Sequence, residues 1–256
     1  MIRAWLALAV LLCPAARGAA PSYNAAGIVN TGNYSPGPFA PNSIVSIFGS
    51  GLARSSQALA AGDIHDGILP TELNYTQVFV DNIPAPLFYV SDGQINFLIP
   101  STQSTGDTKI RVASQGVSGP EITVTVVDSA PALFVMAGSY AIATHADNSL
   151  ITADSPAHSG EIIVVYATGL GKTSPNPAAG TIPQYAATIV NLGSLKVSLG
   201  GIILDPILIK YAGLTPGSAG LYQVNLAVPD GAGTDPEIRV SIGSQSSPTG
   251  LKLPAH

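Results

Sequence analysis

The chain reads as a series of short stretches in which apolar and polar side chains alternate. In EITVTVV, residues 121–127, Ile122, Val124 and Val126 fall on one face while Thr123 and Thr125 fall on the other. In QINFLIP, residues 94–100, Ile95, Phe97 and Ile99 share a face and Gln94, Asn96 and Leu98 take the opposite one. A period of two is that of a strand with one buried side. SIVSIFG (43–49), TQVFVD (76–81), PLFYV (86–90) and KIRVAS (109–114) add further runs, each bounded by Gly, Pro, Asn or Asp. Those residues turn the chain because they tolerate left-handed backbone, fix φ or bond their own main chain. About seven short strands in roughly 110 residues predict a β-sandwich of immunoglobulin type.

The runs recur in the same order. APNSIVSIFGSGLA (40–53) aligns with AHSGEIIVVYATGLG (157–171), setting Phe48 on Tyr166 and Gly51 on Gly169. VFVDNIPAPLFYV (78–90) aligns with VSLGGIILDPILIKYAG (197–213), setting Tyr89 on Tyr211. GQINFLIP (93–100) aligns with LYQVNLAVP (221–229), so that Gln94, Asn96 and Pro100 meet Gln223, Asn225 and Pro229. KIRVASQG (109–116) aligns with EIRVSIGSQ (237–245). Four blocks in one order predict two copies of one unit. They are expected over residues 21–132 and 133–256, with the boundary inside DSAPALFVMAGSY (128–140) and too little linker for free movement.

Composition sharpens this picture. Charged residues make up 10% of the 256 positions, with 27 Gly and 21 Pro. An average globular protein carries roughly 25% charge. Coiled coils, long charged helices and charged disordered tails are excluded. Residues 1–20 read as a signal peptide: Arg3, the apolar run Ala4–Leu12, then small residues from Ala15 to Ala20. No later stretch approaches the length of a membrane-spanning helix, so export without a membrane span is expected. Cys13, the one cysteine, follows Leu12 rather than a small residue, which disfavours acylation, and its removal leaves no disulfide or Cys-ligated zinc site. Without Arg3 and Arg17 the ten Lys and Arg fall to eight against 15 Asp and Glu, a net charge near −7. With the cations standing singly, nucleic acid is not an expected partner.

Candidate chemistry is sparse. YATGLGKT (166–173) ends like a phosphate-binding loop but has Tyr166 where the first glycine belongs, and SPNPAAG after it cannot start a helix. It reads as a turn. PGSAG (216–220) is not a nucleophile elbow, and His65, His145, His158 and His256 are too scattered to choose a triad base. GDIHDG (62–67) and PDGAGTD (229–235) carry acids without the alternating pattern of a calcium loop. No catalytic residue, metal or cofactor is implied. The Gln94/Asn96 and Gln223/Asn225 pairs are expected to satisfy backbone groups of an adjacent loop. For ligand contact the candidates are Tyr34, Tyr75, Tyr140 and Tyr185, which lack a counterpart in the other copy. The connections Arg54–Thr76 and Lys172–Leu195 are the candidate binding loops, since loops on a rigid sandwich are where ligands are met.

The block order resembles the IPT/TIG group of immunoglobulin-like domains. Pro41, Gly49 and Gly51, Val78 to Ala85, Ile95 to Pro100, and Ile110 to Val126 hold its characteristic places. Over residues 25–253 the chain is similar to an uncharacterised family of C-terminal domains in secreted acidobacterial proteins. GIVNTGNYSPGPFAPNSIVSIFGSGLA, NIPAPLFYVSDGQINFLIP, YATGLG and GLYQVNLAVP carry that likeness. The resemblance implies fold and compartment and brings no catalytic residue. The expectation is a secreted or cell-surface, non-enzymatic tandem of immunoglobulin-like sandwiches that scaffolds or binds. Its partner would be an extracellular protein or cell-envelope polymer. The alternative is a glycan-binding or weakly glycan-hydrolysing protein. A row of exposed tyrosines would favour sugar, and an exposed apolar patch would favour protein.

Overall fold

The structure, a computed structural model, describes residues 19–136 and 139–256. The expected signal segment, with Trp5 and Cys13, lies outside the described residues apart from its last two positions. The described chain is almost entirely strands and turns, as the alternating pattern predicts. Among the described residues no helix is long and apolar enough to cross a membrane.

In the first unit one sheet runs in the order Ser22–Asn30, Ile44–Ser50, Gln94–Leu98, Leu87–Val90, Gln57–Ala58. The facing sheet runs Ile122–Val126, Gly106–Ser114, Thr76–Val80, Ile83–Pro84. Val45, Ile47, Ile95 and Phe97 meet Val78, Val80, Ile110 and Val112 between them, all fully buried. In the second unit Ile162–Thr168, Tyr222–Ala227 and Ile209–Leu214 form the centre of one sheet, and Leu195–Leu199 pairs with Ile238–Ile242 in the other. Ile163, Val165, Val224, Leu226, Val197 and Val240 fill that second core. Each pair of sheets closes an apolar layer of its own, the defining feature of a sandwich.

The pairing register is the same in both units. Phe48 lies opposite Gln94 and Ser46 opposite Asn96; Tyr166 lies opposite Gln223 and Val164 opposite Asn225. Val78 opposes Val112, and Val197 opposes Val240. Tyr89 and Tyr211 each follow a register shift and oppose Asn96 and Asn225. Even the hairpin tips correspond: Asp81–Asn82 and Gly200–Gly201 both take two left-handed residues, as a two-residue turn between twisted strands requires.

A third, smaller apolar cluster joins the units. Leu69, Leu98 and Ala219 are buried there with Ile44, Phe88 and Ile182 packed around them. This revises one expectation: Leu98 lies on the outer face of its sheet, as predicted, yet is only 1% exposed because the second unit covers it. Burying such a side chain stabilises the contact by about 1.5–3 kcal/mol. Beside it the Thr168 hydroxyl accepts the Ile44 N–H at 3.0 Å and donates to the Gly220 carbonyl at 2.9 Å.

The glycines of YATGLG serve this seam. Gly169 has φ +76°, and a Cβ there would lie 2.2 Å from the Ala130 carbonyl oxygen of the connecting segment. Gly51, at the equivalent register, has φ +65° with its nearest foreign atom 3.7 Å away. Left-handed backbone costs a non-glycine residue about 1–2 kcal/mol. Gly51→Ala should therefore cost about that much, whereas Gly169→Ala should cost at least about 1 kcal/mol more, because backbone must move. Chemical denaturation of the two variants checks this; equal losses would contradict the packing role.

Candidate functional site

The tyrosines chosen from the sequence are displayed but dispersed. Tyr34, Tyr75 and Tyr185 are exposed, with Tyr185 at 83%. Tyr75 is the second of two left-handed residues in the tight turn between Leu73 and Thr76. Tyr34 sits 6.1 Å, ring to ring, from Phe48. Tyr140 is half-buried, and its hydroxyl donates to Asp235 at 2.8 Å; that bond pushes the Tyr140 hydroxyl pKa up. The ring pairs among the described residues are Tyr34–Phe48 and His158–His256, so these four tyrosines do not stack on one another.

Tyr23 is buried. Its hydroxyl accepts the Val112 N–H at 2.8 Å and donates to the Pro120 carbonyl at 2.5 Å, pinning the first strand across the sandwich. Burial raises its pKa. The amide pairs differ from expectation. Gln94 Nε2 donates to Asn96 Oδ1 at 2.8 Å, and Gln223 Nε2 to Asn225 Oδ1 at 3.0 Å. They bond each other instead of a loop backbone, and Asn96 Oδ1 also accepts the Ser46 hydroxyl. Residues two apart on a strand share a face, which brings the two amides together.

The long connections carry the seam at their middles. Leu69 N–H donates to the Gly180 carbonyl and Ile182 N–H to the Gly67 carbonyl, at 2.9 and 2.8 Å. Ser101, fully buried, donates its hydroxyl to the Pro177 carbonyl. Away from these contacts both connections are largely exposed, with Tyr185 on one and Tyr75 near the end of the other.

The acidic turns are occupied internally. Asp63 accepts the Ala60 N–H and the Gln57 amide, and Asp230 accepts the Ser159 hydroxyl. Among the described residues no group of three or more His, Cys, Asp or Glu could hold a metal ion.

One constellation escaped sequence reasoning because its members converge only through a hairpin. His145 Nδ1 lies 2.5 Å from Glu161 Oε1, and Nε2 lies 3.2 Å from both the hydroxyl and the carbonyl oxygen of Ser155. These are the residue types of a Ser-His-acid array. Nδ1–H donates to the Glu161 carboxylate, and Nε2 either donates to the Ser155 carbonyl or accepts from its hydroxyl. The hydrogen bond to Glu161 is also what raises the His145 pKa. The pair's stabilisation is complete below the unfolded-state value of about 6.5 and is lost as pH rises through the raised folded-state value. Stability should fall across that interval, and His145→Gln should flatten the profile; urea unfolding at successive pH values measures both, and an unchanged slope would contradict the pairing.

The second feature missed is apolar. Ile202, Ile203 and Ile207 are 71%, 61% and 72% exposed. Ile202 and Ile203 stand at the end of the second unit away from the seam, at a hollow of about 350 Å3 lined also by Leu199, Leu208 and Pro229, and Ile207 lies on the turn Pro206–Leu208 beside it. The signal was present in GGIILDPIL: consecutive apolar residues after a two-glycine turn cannot all face one core. Asp205 starts the short turn Pro206–Leu208 by accepting the Ile207 N–H, which holds Ile207 outward.

With the strand order and register in place, the first unit can be compared with known domains. Residues 31–129 match the IPT/TIG domain. The IPT/TIG match ends at the connecting segment, before the second pair of sheets. No curated protein matches the sequence. Among solved structures the chain is similar to the surface glycan-binding protein PbSGBP-B from Prevotella bryantii, at 13% identity and TM-score 0.29, over 92% of this chain and 42% of that one. It is similar to SGBP-B of the Bacteroides ovatus mixed-linkage glucan utilization locus, at 10% identity and TM-score 0.30, over 84% and 44%. Domains 5-6 of the S-layer protein SbsC overlap at 12% identity and TM-score 0.27, over 92% and 98%. The chain thus spans less than half the length of the two glycan-binding proteins. Likeness at this level does not carry an activity across.

Proposed function

We propose that this protein is an extracellular, non-catalytic binding and scaffold module, and that its partner is a protein. Two immunoglobulin-like units, proposed as copies of one another, serve as a stiff carrier, and recognition falls to the end of the second unit. The observation that carries the reading is that Ile202, Ile203 and Ile207 are each more than 60% exposed, Ile202 and Ile203 lining one hollow and Ile207 on the turn beside it. Monomeric surfaces rarely gather such residues; where they do, the patch is a site of association. Full burial of each side chain would contribute up to about 1.5–3 kcal/mol. Only part of that survives as affinity once the cost of association is met.

A tyrosine row would instead favour sugar, and Tyr34, Tyr75, Tyr140 and Tyr185 form no stack among themselves. The immobilised protein is expected to retain a discrete protein from an extracellular fraction. Ile203→Asp combined with Ile207→Asp should weaken retention at least tenfold, and Tyr75→Ala and Tyr185→Ala should leave it unchanged. Electrophoresis through polysaccharide-containing gels supplies the opposing outcome: retardation abolished by Tyr75→Ala or Tyr185→Ala would overturn the protein-binding reading in favour of glycan.

A further inference from the structure

The seam between the units shows how one such end is covered. On the first unit it engages the Ile44 end of strand Ile44–Ser50, Leu98 opposite it, Pro86, and Ser101 just beyond the Gln94–Leu98 strand. The second unit meets them with the Thr168 hydroxyl, Gly169, the loop around Gly180, and Gly220, where a Cβ would sit 2.4 Å from Leu98 Cδ1.

The shared register locates the corresponding positions of the second unit. Ile162 opposes Ala227 as Ile44 opposes Leu98. The turn Pro206–Leu208, carrying Ile207, occupies the place of Pro86 between the hairpin and the strand that returns beside Tyr222–Ala227. Asp230 follows Pro229 as Ser101 follows Pro100. In the first unit Leu98, Pro86 and Ser101 are buried and Ile44 is half-buried; in the second, the counterparts Ile162, at 45%, and Asp230 are exposed, Ala227 and Leu208 are half-buried, and Ile207 next to Leu208 is 72% exposed. The same end of the same pairing pattern is covered once and bare once.

The covering end also exists twice. Ser50 and Gly51 stand at the register of Thr168 and Gly169, again a hydroxyl followed by a left-handed glycine. Ser50, Asp92 and Gly93 are exposed at that end of the first unit.

We infer that the Ile162–Ile203–Ile207 end docks a second copy of this chain, head to tail, through that copy's Ser50–Gly51 end. The contact repeats the intramolecular seam between molecules. This inference rests on the protein-binding reading above and names the partner. Such an interface is heterologous: each molecule uses two different surfaces and keeps one of each free, so association extends into chains unless the rotation closes a ring.

Sedimentation velocity of the full chain over a wide concentration range tests it. Weight-average mass is expected to rise past that of a dimer. Ile207→Asp and Ser50→Arg, both at exposed positions, should each weaken association at least tenfold with unchanged circular dichroism. An equimolar mixture of the two variants retains one competent pair of ends and should form dimers and nothing larger. A wild-type chain that stays monomeric up to about 1 mM would overturn the inference, as would a closed dimer indifferent to Ser50→Arg. If self-association is absent while Ile203→Asp and Ile207→Asp still abolish retention of a different protein, the self-docking fails and the binding-module reading survives. If neither association nor retention responds to these isoleucines, both fail.

Discussion

The seam between the two units, with the Thr168 hydroxyl in it, fixes how the molecule is put together. Thr168 ends a central strand of the second unit, accepts a backbone N–H from the first unit and donates to the Gly220 carbonyl. Both partners are main-chain groups, so the bond constrains backbones rather than mobile side chains. It holds in a dry setting because Leu98 and Ala219 close over it, and an unsatisfied polar group there would cost about 1–3 kcal/mol. Two sandwiches tied by a short connection would ordinarily move relative to one another. Here packing, hydrogen bonding and the close approach at Gly169 and Gly220 act at one place.

The rest of the surface follows from that choice. The long connections, placed to serve as binding loops, enter the seam through Leu69, Gly180 and Ile182 and are largely exposed along the rest of their length. The far end of the second unit presents the same pairing pattern with nothing over it, and its isoleucines remain in water. Function is therefore sought at an end rather than on a face.

Much of the fold was legible in the sequence. The alternation in QINFLIP and EITVTVV marks the strands. The alignment of Gln94 with Gln223 and Phe48 with Tyr166 coincides with the observed register. What escaped depends on position in space. Leu98 looks like an outward residue because periodicity describes one strand and not what lies above it. Nor does local pattern show that Tyr23 is held by two hydrogen bonds across the sandwich, to Val112 and Pro120. The His145–Glu161–Ser155 cluster spans a hairpin whose residues carry no spacing signature. The site itself was half visible: GGIILDPIL violates strand alternation, yet the exposed end it builds is recognised only when the covered end of the first unit lies beside it for comparison.

The central claim is that the seam makes one rigid body of two units, and amide nitrogen relaxation tests it most directly. The account predicts that residues of both units fit a single rotational diffusion tensor, and that Thr168→Val, which removes the bridging hydroxyl at nearly constant volume, separates them into two. Two independent tensors in the wild-type chain, with tumbling times close to those of isolated units, would contradict it.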